Sequence, residues 1–216
     1  VKYWMHFGFL NIQNEKMSKS LGNFFTARDV LEKYSAETIR LFFAQTHYAG
    51  PLNFNEELIL SAKKGLEKLQ NLADKAELEI KLQDNNSKDI HFDFTAFKRE
   101  FESAMDDDFN TAQALGYFFD LQRRMNSLLD ISKKQRTEEI LVMLKEGFEY
   151  FTRFGSILGL FQEDPANYLD EQKKEGLRRL NLIEGEIVRL IDERNLARRE
   201  KNWKKRSRKR KSLSKN

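Results

Sequence analysis

The sequence predicts a mainly α chain, with a short strand-and-loop segment leading into an antiparallel helical bundle. Three observations carry that expectation. Proline is rare, at two of 216 residues, and a proline inside a helix removes a hydrogen bond and clashes with the preceding turn. Charged residues make up 33%, so each helix should pair one apolar face with one solvated face. Apolar residues recur three and four positions apart along successive stretches joined by short polar loops, for which an antiparallel bundle is the economical packing.

Composition excludes several chemistries. There is no cysteine, so the chain holds no disulfide and no thiolate metal site, which fits a reducing compartment. Three scattered histidines, His6, His47 and His91, give no helical ligand pair, and no metal site is expected. No apolar run reaches the length needed to cross a bilayer. Residues Val1–Met5 lack the charged and apolar segments of a signal peptide. Net charge is only +4, but Arg198–Lys211 is a dense basic block that suits a polyanion, either nucleic acid or a membrane surface. A solubilising tail is the alternative.

In chain order, Tyr3–Ile12 has the aromatic and β-branched character of a buried strand, and a chain opening there reads as a fragment. Thr26 with Asp29 forms a capping-box pattern that starts a helix over 27–34, with Val30 and Leu31 inward. Ser35 caps a helix over 36–46 with Ile39, Phe42 and Phe43 on one face, and Gly50-Pro51 stops it. Asn55 caps a helix of about twenty residues, read from its periodic run of apolar positions, carrying Leu58, Ile59, Ala62, Leu66, Leu69, Ala73 and Ala76. Residues 81–90 form a polar connector. Phe94, Phe97, Phe101 and Met105 mark the next helix. Asn110 or Thr111 caps another, with Leu115, Phe118, Phe119, Met125 and Leu129. Thr137 caps a fourth, with Ile140, Leu141, Leu144, Phe148 and Phe151. These aromatic stripes read as core. A last helix over roughly 170–200 carries Leu177, Leu180, Ile183, Ile187, Leu190 and Ile191 at helical spacing.

The stretch with chemical content is Lys16-Met17-Ser18-Lys19-Ser20, continued by Leu21-Gly22-Asn23. Two lysines three positions apart offer compact cations on flexible stems, suited to phosphate oxygens. Hydroxyls and loop amides can add donors to the same anion. A solvated turn is the competing reading for any bare pair of lysines. Asp106-Asp107-Asp108 could bind Mg²⁺, but neighbouring helix positions diverge, and the run reads instead as marking a helix N-terminus, where the dipole favours negative charge. Trp203 among Arg198, Arg199, Lys204, Lys205 and Arg206 combines a stacking face with cations, as single-stranded nucleic acid requires; a Trp covering the end of the bundle is the alternative. No Ser/His/Asp grouping, Walker-type loop or dinucleotide fingerprint is present.

The Lys16–Ser20 run resembles the KMSKS loop of class I aminoacyl-tRNA synthetases, in its longer form ending in Gly22-Asn23. Further runs resemble the cysteinyl-tRNA synthetases: Tyr3-Trp4-Met5-His6, Phe24–Leu31, Ala36–Arg40, His47-Tyr48 with Leu52-Asn53-Phe54, and above all Ala104–Thr111. The likeness covers nearly all of residues 1 to about 204. It implies the end of a class I Rossmann-type catalytic domain with KMSKS loop and stem-contact helices (1–52), a helical-bundle domain binding the tRNA anticodon stem (53–164), and a C-terminal helix with a basic anticodon-binding tail (165–216). The implied activity is a cysteine–tRNA ligase, using ATP to activate cysteine and transfer it to tRNA-Cys. Lys16 and Lys19 would be catalytic, and Lys16, Met17, Ser18, Lys19 and Ser20 would bind ATP. Arg198 and Trp203 would bind tRNA. Zinc belongs to the family, but its ligands and the His-x-Gly-His motif are absent here, so this chain is expected to be inactive alone. The expected protein is cytoplasmic and monomeric, with no membrane partner. Ala49 stands where the family has a basic residue, and Ser207 where it has an acidic one, which puts anticodon discrimination in question. A cysteine–amino-sugar ligase relative and a free-standing, non-catalytic tRNA-binding module are the alternatives.

Overall fold

The computed structural model describes residues 1–12, 15–21, 23, 26–81, 94–134 and 137–199. The expected connector over 81–90 lies, after Lys81, outside the described residues. The chain divides into two compact units, residues 1–166 and 167–216. None of the described helices is long and apolar enough to cross a membrane.

The first unit opens with a three-stranded sheet, in the order β2-β1-β3. Strands β1 (Leu10–Ile12) and β2 (Glu15–Lys16) pair antiparallel, and β3 (Leu52–Phe54) pairs parallel with β1. The strand expected over 3–12 is therefore confined to its last three residues. Tyr3, Trp4, Phe7 and Phe9 are 65–77% exposed. A strand needs a ladder partner for its backbone groups, and β3 offers only three residues; beyond them Phe9 O accepts from Leu52 N–H at 3.0 Å and Gly8 N–H donates to Tyr48 O at 2.9 Å.

Helix α1 (Ala27–Leu31) starts at the expected capping box. Asp29 N–H donates to Thr26 Oγ1 at 3.3 Å, and Thr26 N–H donates to Asp29 Oδ2 at 2.7 Å. It is shorter than expected, and Leu31 is 52% exposed, because one turn cannot bury a whole face. Helix α2 (Ala36–Ala44) is capped by Ser35, whose Oγ accepts from Thr38 N–H. Its buried face is Glu37, Thr38, Leu41 and Phe42, while Ile39 is half-buried and Phe43 exposed. Packing against both α3 and α5 rotates the buried arc toward Leu41.

Helix α3 (Glu56–Lys81) begins where Asn55 Oδ1 accepts from Leu58 N–H at 2.8 Å. It outruns the expected twenty residues by more than a turn because Glu79, near its end, accepts from the buried Ser132 hydroxyl at 2.8 Å. Leu58 is exposed, whereas Ile59, Ala62, Leu66, Leu69, Ala73 and Ala76 are sealed in the core as expected. Helices α4 (Thr95–Asp106), α5 (Thr111–Ser132) and α6 (Glu138–Ile157) complete the bundle. Asn110 and Thr137 cap α5 and α6. The Phe stripes are core: Phe118 stacks on Phe151 with centroids 4.7 Å apart, and Phe101 meets Phe154 edge-on at 4.9 Å. Gly147 lets α6 close on Met125 of α5 and on Phe94, since a Cβ there would lie 2.2 Å from Met125 Sδ and 2.9 Å from Phe94 Cζ. Helix α6 ends in a Schellman motif: Gly159 (φ +71°) takes the left-handed position and Leu160 N–H reaches back to Gly155 O.

The second unit holds most of α7 (Pro165–Arg179) and α8 (Glu184–Arg199). The single helix expected over 170–200 is thus two helices. The break is another Schellman motif, with Asn181 (φ +52°) left-handed, Leu182 N–H donating to Leu177 O at 2.9 Å and Asn181 N–H to Arg178 O at 3.1 Å. Asparagine is the usual substitute for glycine there. Leu180 and Ile183, which continued the helical spacing, sit in the turn at 57% and 66% exposure.

Candidate functional site: the lysine loop

The β1–β2 hairpin delivers the loop. Asn11 is paired with Lys16 and Ile12 with Glu15, and Met17 N–H extends the pairing to Leu10 O at 3.2 Å. Beyond Ser18 the backbone closes into a single 3₁₀ turn, Lys19–Leu21. Ser18 Oγ accepts from Leu21 N–H at 3.3 Å and shares a hydrogen bond with Ser20 Oγ at 2.8 Å. Asn23 staples the loop from its far side: Ser18 N–H donates to its Oδ1 at 2.8 Å, and its Nδ2 donates to Lys16 O at 3.3 Å. One carboxamide therefore fixes both ends of the Lys16–Ser18 backbone.

Met17 anchors the loop by the opposite means. Its side chain lines an apolar cavity of about 270 Å³ with Leu10, Ala27, Val30, Ile39 and Phe43. The lysines are thus carried on a segment pinned by one polar and one apolar contact. The Lys16 ammonium lies over the Phe9 ring, 4.1 Å from its centroid. Lys16 is exposed and, among the described residues, has no carboxylate partner. A ring face holds a cation only loosely at an exposed site, by about 0.5–1 kcal/mol, so the ammonium can exchange it for a phosphate oxygen.

Lys19 is placed by its backbone in the 3₁₀ turn and Arg198 in α8; their side chains, and the whole of Trp203, lie outside the described residues. The structure therefore brings Lys16, Met17, Ser18 and Ser20 together. Arg198 belongs to the second unit.

Asp106-Asp107-Asp108 stands at a helix C-terminus, contrary to the expected N-terminus. Asp106 is the last residue of α4 and Asp107 its C-cap. The tight return to α5, with Asn110 N–H bonded to Ala104 O, forces Asp108 (φ +52°) and Phe109 (φ +54°) into left-handed geometry. Negative charge at this end opposes the helix dipole, and the charge of Asp108 is met from outside. The Tyr48 hydroxyl donates to its Oδ1 at 2.6 Å, and His47 Nε2 lies 3.9 Å from its Oδ2. Bonding to that carboxylate pushes the Tyr48 hydroxyl above its ordinary pKa, with smaller contributions from burial and the carboxylate charge. Among the described residues no trio of His, Asp or Glu side chains is placed to hold a metal ion. The roles of Asn23 and of the Tyr48–Asp108 contact escaped the sequence reading, although each residue lay within a run that carried the resemblance.

Residues 1–64 match the family model described as the tRNA synthetases class I (C) catalytic domain, and residues 100–162 match the DALR domain. The first match contains the sheet and the lysine loop; the second spans the end of α4, α5 and α6. Among curated relatives, the chain is similar to the cysteine–tRNA ligase of Geobacter sulfurreducens, 38% identical over 208 residues, which is 94% of this chain and 42% of the relative. The cysteine–tRNA ligase of Thermodesulfovibrio yellowstonii is 40% identical over 210 residues, with the same shares covered. That of Syntrophobacter fumaroxidans is 38% identical over 226 aligned positions, covering 100% of this chain and 46% of the relative. Together these matches support a C-terminal portion of a cysteinyl-tRNA synthetase. It spans less than half the length of the curated relatives it matches.

Proposed function

We propose that this chain supplies the ATP-phosphate loop and the tRNA-holding helices of a cysteine–tRNA ligase. In that reaction cysteine and ATP give cysteinyl-adenylate and pyrophosphate, and the cysteinyl group then passes to the 3′ end of tRNA-Cys. The observation that carries the reading is a stapled Lys16–Ser20 loop whose first ammonium is exposed and, among the described residues, rests on an aromatic face with no carboxylate partner. Lys16 and Lys19 stabilise the charge that grows on the departing pyrophosphate, and Ser18, Ser20 and the loop backbone line the same anion. Met17 holds the loop at its working height. A preorganised donor of this kind is worth about 3–4 kcal/mol in the transition state.

Residues 1–52 act as the end of the catalytic domain, 53–164 as the bundle that holds the anticodon stem, and 165–216 as the anticodon-binding tail with Arg198 and Trp203. The start of α3 at Glu56 and the unit boundary after Ala166 support that division. Zinc serves the family's selection of cysteine outside this segment. The protein acts in the cytoplasm as a monomer. A gel-shift titration of the chain tests the RNA part: tRNA-Cys should bind more tightly than a tRNA of another anticodon, and the affinity should fall steeply with salt. Equal affinity for both would refute it.

A further inference from the structure

One end of the first unit joins side chains from two distant parts of the chain. Tyr48, in the link from α2 to β3, donates its hydroxyl to Asp108, sixty residues away in the α4–α5 turn, at 2.6 Å. The His47 ring stacks on Tyr48 with centroids 4.8 Å apart and puts Nε2 3.9 Å from the same carboxylate. Phe7 closes on Tyr48 edge-first at 5.4 Å. On the bundle side, Asp108 and Phe109 are consecutive non-glycine residues with positive φ. Such a pair is strained and persists only where its surroundings hold it. On the other side, the Tyr48 carbonyl accepts from Gly8 N–H at 2.9 Å, Phe9 O accepts from Leu52 N–H at 3.0 Å, and Leu10 O accepts from Met17 N–H at 3.2 Å. A continuous run of hydrogen bonds and strand pairing thus leads from a strained turn of the bundle to the first residues of the lysine loop.

We propose that Tyr48 and Asp108, with His47 stacked beside them, form a latch through which the α4–α5 turn of the bundle sets the position of the lysine loop. Tyr48 is a positioning residue: it lies away from the loop and acts through Gly8 and β1. The strained turn gives the latch two states. Engaged, the carboxylate is held by the hydroxyl and the turn stays left-handed; released, the turn relaxes and the Gly8–Leu10 strand loses its outer tie. A ligand that pulls on the turn would thereby loosen or tighten the loop. That consequence rests on the proposed function, whereas the latch itself does not.

Amide hydrogen exchange on the whole chain tests it without ATP or RNA. Tyr48→Phe removes the donor and keeps the ring. Asp108→Gly removes the acceptor while tolerating positive φ. Both should raise exchange at the Gly8, Met17 and Leu52 amides by about 10- to 150-fold, the effect of losing one hydrogen bond to a charged group, and leave the core amides of α3, α5 and α6 unchanged. Asp108→Asn, which keeps an acceptor and suits left-handed geometry, should restore slow exchange. Unchanged exchange at Gly8 and Met17 in both variants would overturn the proposal. So would a uniform rise across the core helices, which would mean general destabilisation.

Discussion

Replacing Glu37 tests how the lysine-loop platform is fixed to the bundle. Glu37 is 4% exposed, and its two carboxylate oxygens face different elements. Oε1 accepts from the Gln162 backbone N–H at 2.6 Å and more weakly from Glu163 N–H at 3.4 Å, while Oε2 accepts from Gln70 Nε2 at 2.8 Å. Glu37→Ala strands at least two short-range donors. Each buried donor left unsatisfied costs about 1–3 kcal/mol, so the loss should be about 2–6 kcal/mol by the same measure. That is a large part of the roughly 5–15 kcal/mol that holds a domain together. Glu37→Gln should behave differently. Gln70 Oε1 is buried and has no partner among the described residues, so a flip of the Gln70 amide turns that acceptor toward the new side-chain N–H. The bond to Gln162 N–H survives as a neutral one, and the net cost should be about 1 kcal/mol. Urea unfolding followed by far-ultraviolet circular dichroism measures both. A Glu37→Ala stability within about 1 kcal/mol of wild type, or a Glu37→Gln loss as large as that of Glu37→Ala, would refute this role of the buried carboxylate.

Two further outcomes follow from local geometry. Gly147→Ala places a methyl against Met125 Sδ and Phe94 Cζ, at 2.2 and 2.9 Å before relaxation; it should destabilise by about 1–3 kcal/mol, and adding Met125→Ala should not deepen the loss by its usual full amount, a non-additivity read from the same urea curves. Tyr48 should titrate above the ordinary range of a tyrosine hydroxyl, because the hydrogen bond to Asp108 favours its neutral form. Its contribution to stability is fully present below that range and is lost as pH rises through the raised pKa. The difference between wild-type and Tyr48→Phe absorbance titrations at the tyrosinate band should therefore have its midpoint above that of an ordinary tyrosine.

What the sequence made legible was local. Thr26, Ser35, Asn55, Asn110 and Thr137 each cap their helix because a side chain and an amide three residues on lie within one turn. The Phe stripe of Phe97, Phe101, Phe118 and Phe151 was legible because burial at helical spacing is periodic. Glu37 was not, since an acidic residue in a first turn serves the dipole equally well when exposed, and its burial is decided by partners 33 and 125 residues away. Leu41 was passed over because Ile39, Phe42 and Phe43 satisfy the spacing as well, and only the neighbours of α2 choose between those faces. The break at 180–183 was hidden by Ile187 and Leu190 continuing the period, although Asn181 was its signal. Within the site, the lysine run and its Gly-Asn ending were visible at once. The staple by Asn23 needed the turn between them, and the Tyr48–Asp108 contact needed the whole fold.

On the proposed function, the lysine loop handles the phosphates of ATP. Residues 1–216 grafted in place of the matching segment of the Geobacter sulfurreducens cysteine–tRNA ligase allow it to be measured by cysteine-dependent ATP–pyrophosphate exchange. The graft should sustain exchange, and Lys19→Ala within it should lower the rate by about 100- to 1000-fold, with tRNA-Cys binding intact. Near-normal exchange in that variant would show that Lys19 does not act on those phosphates.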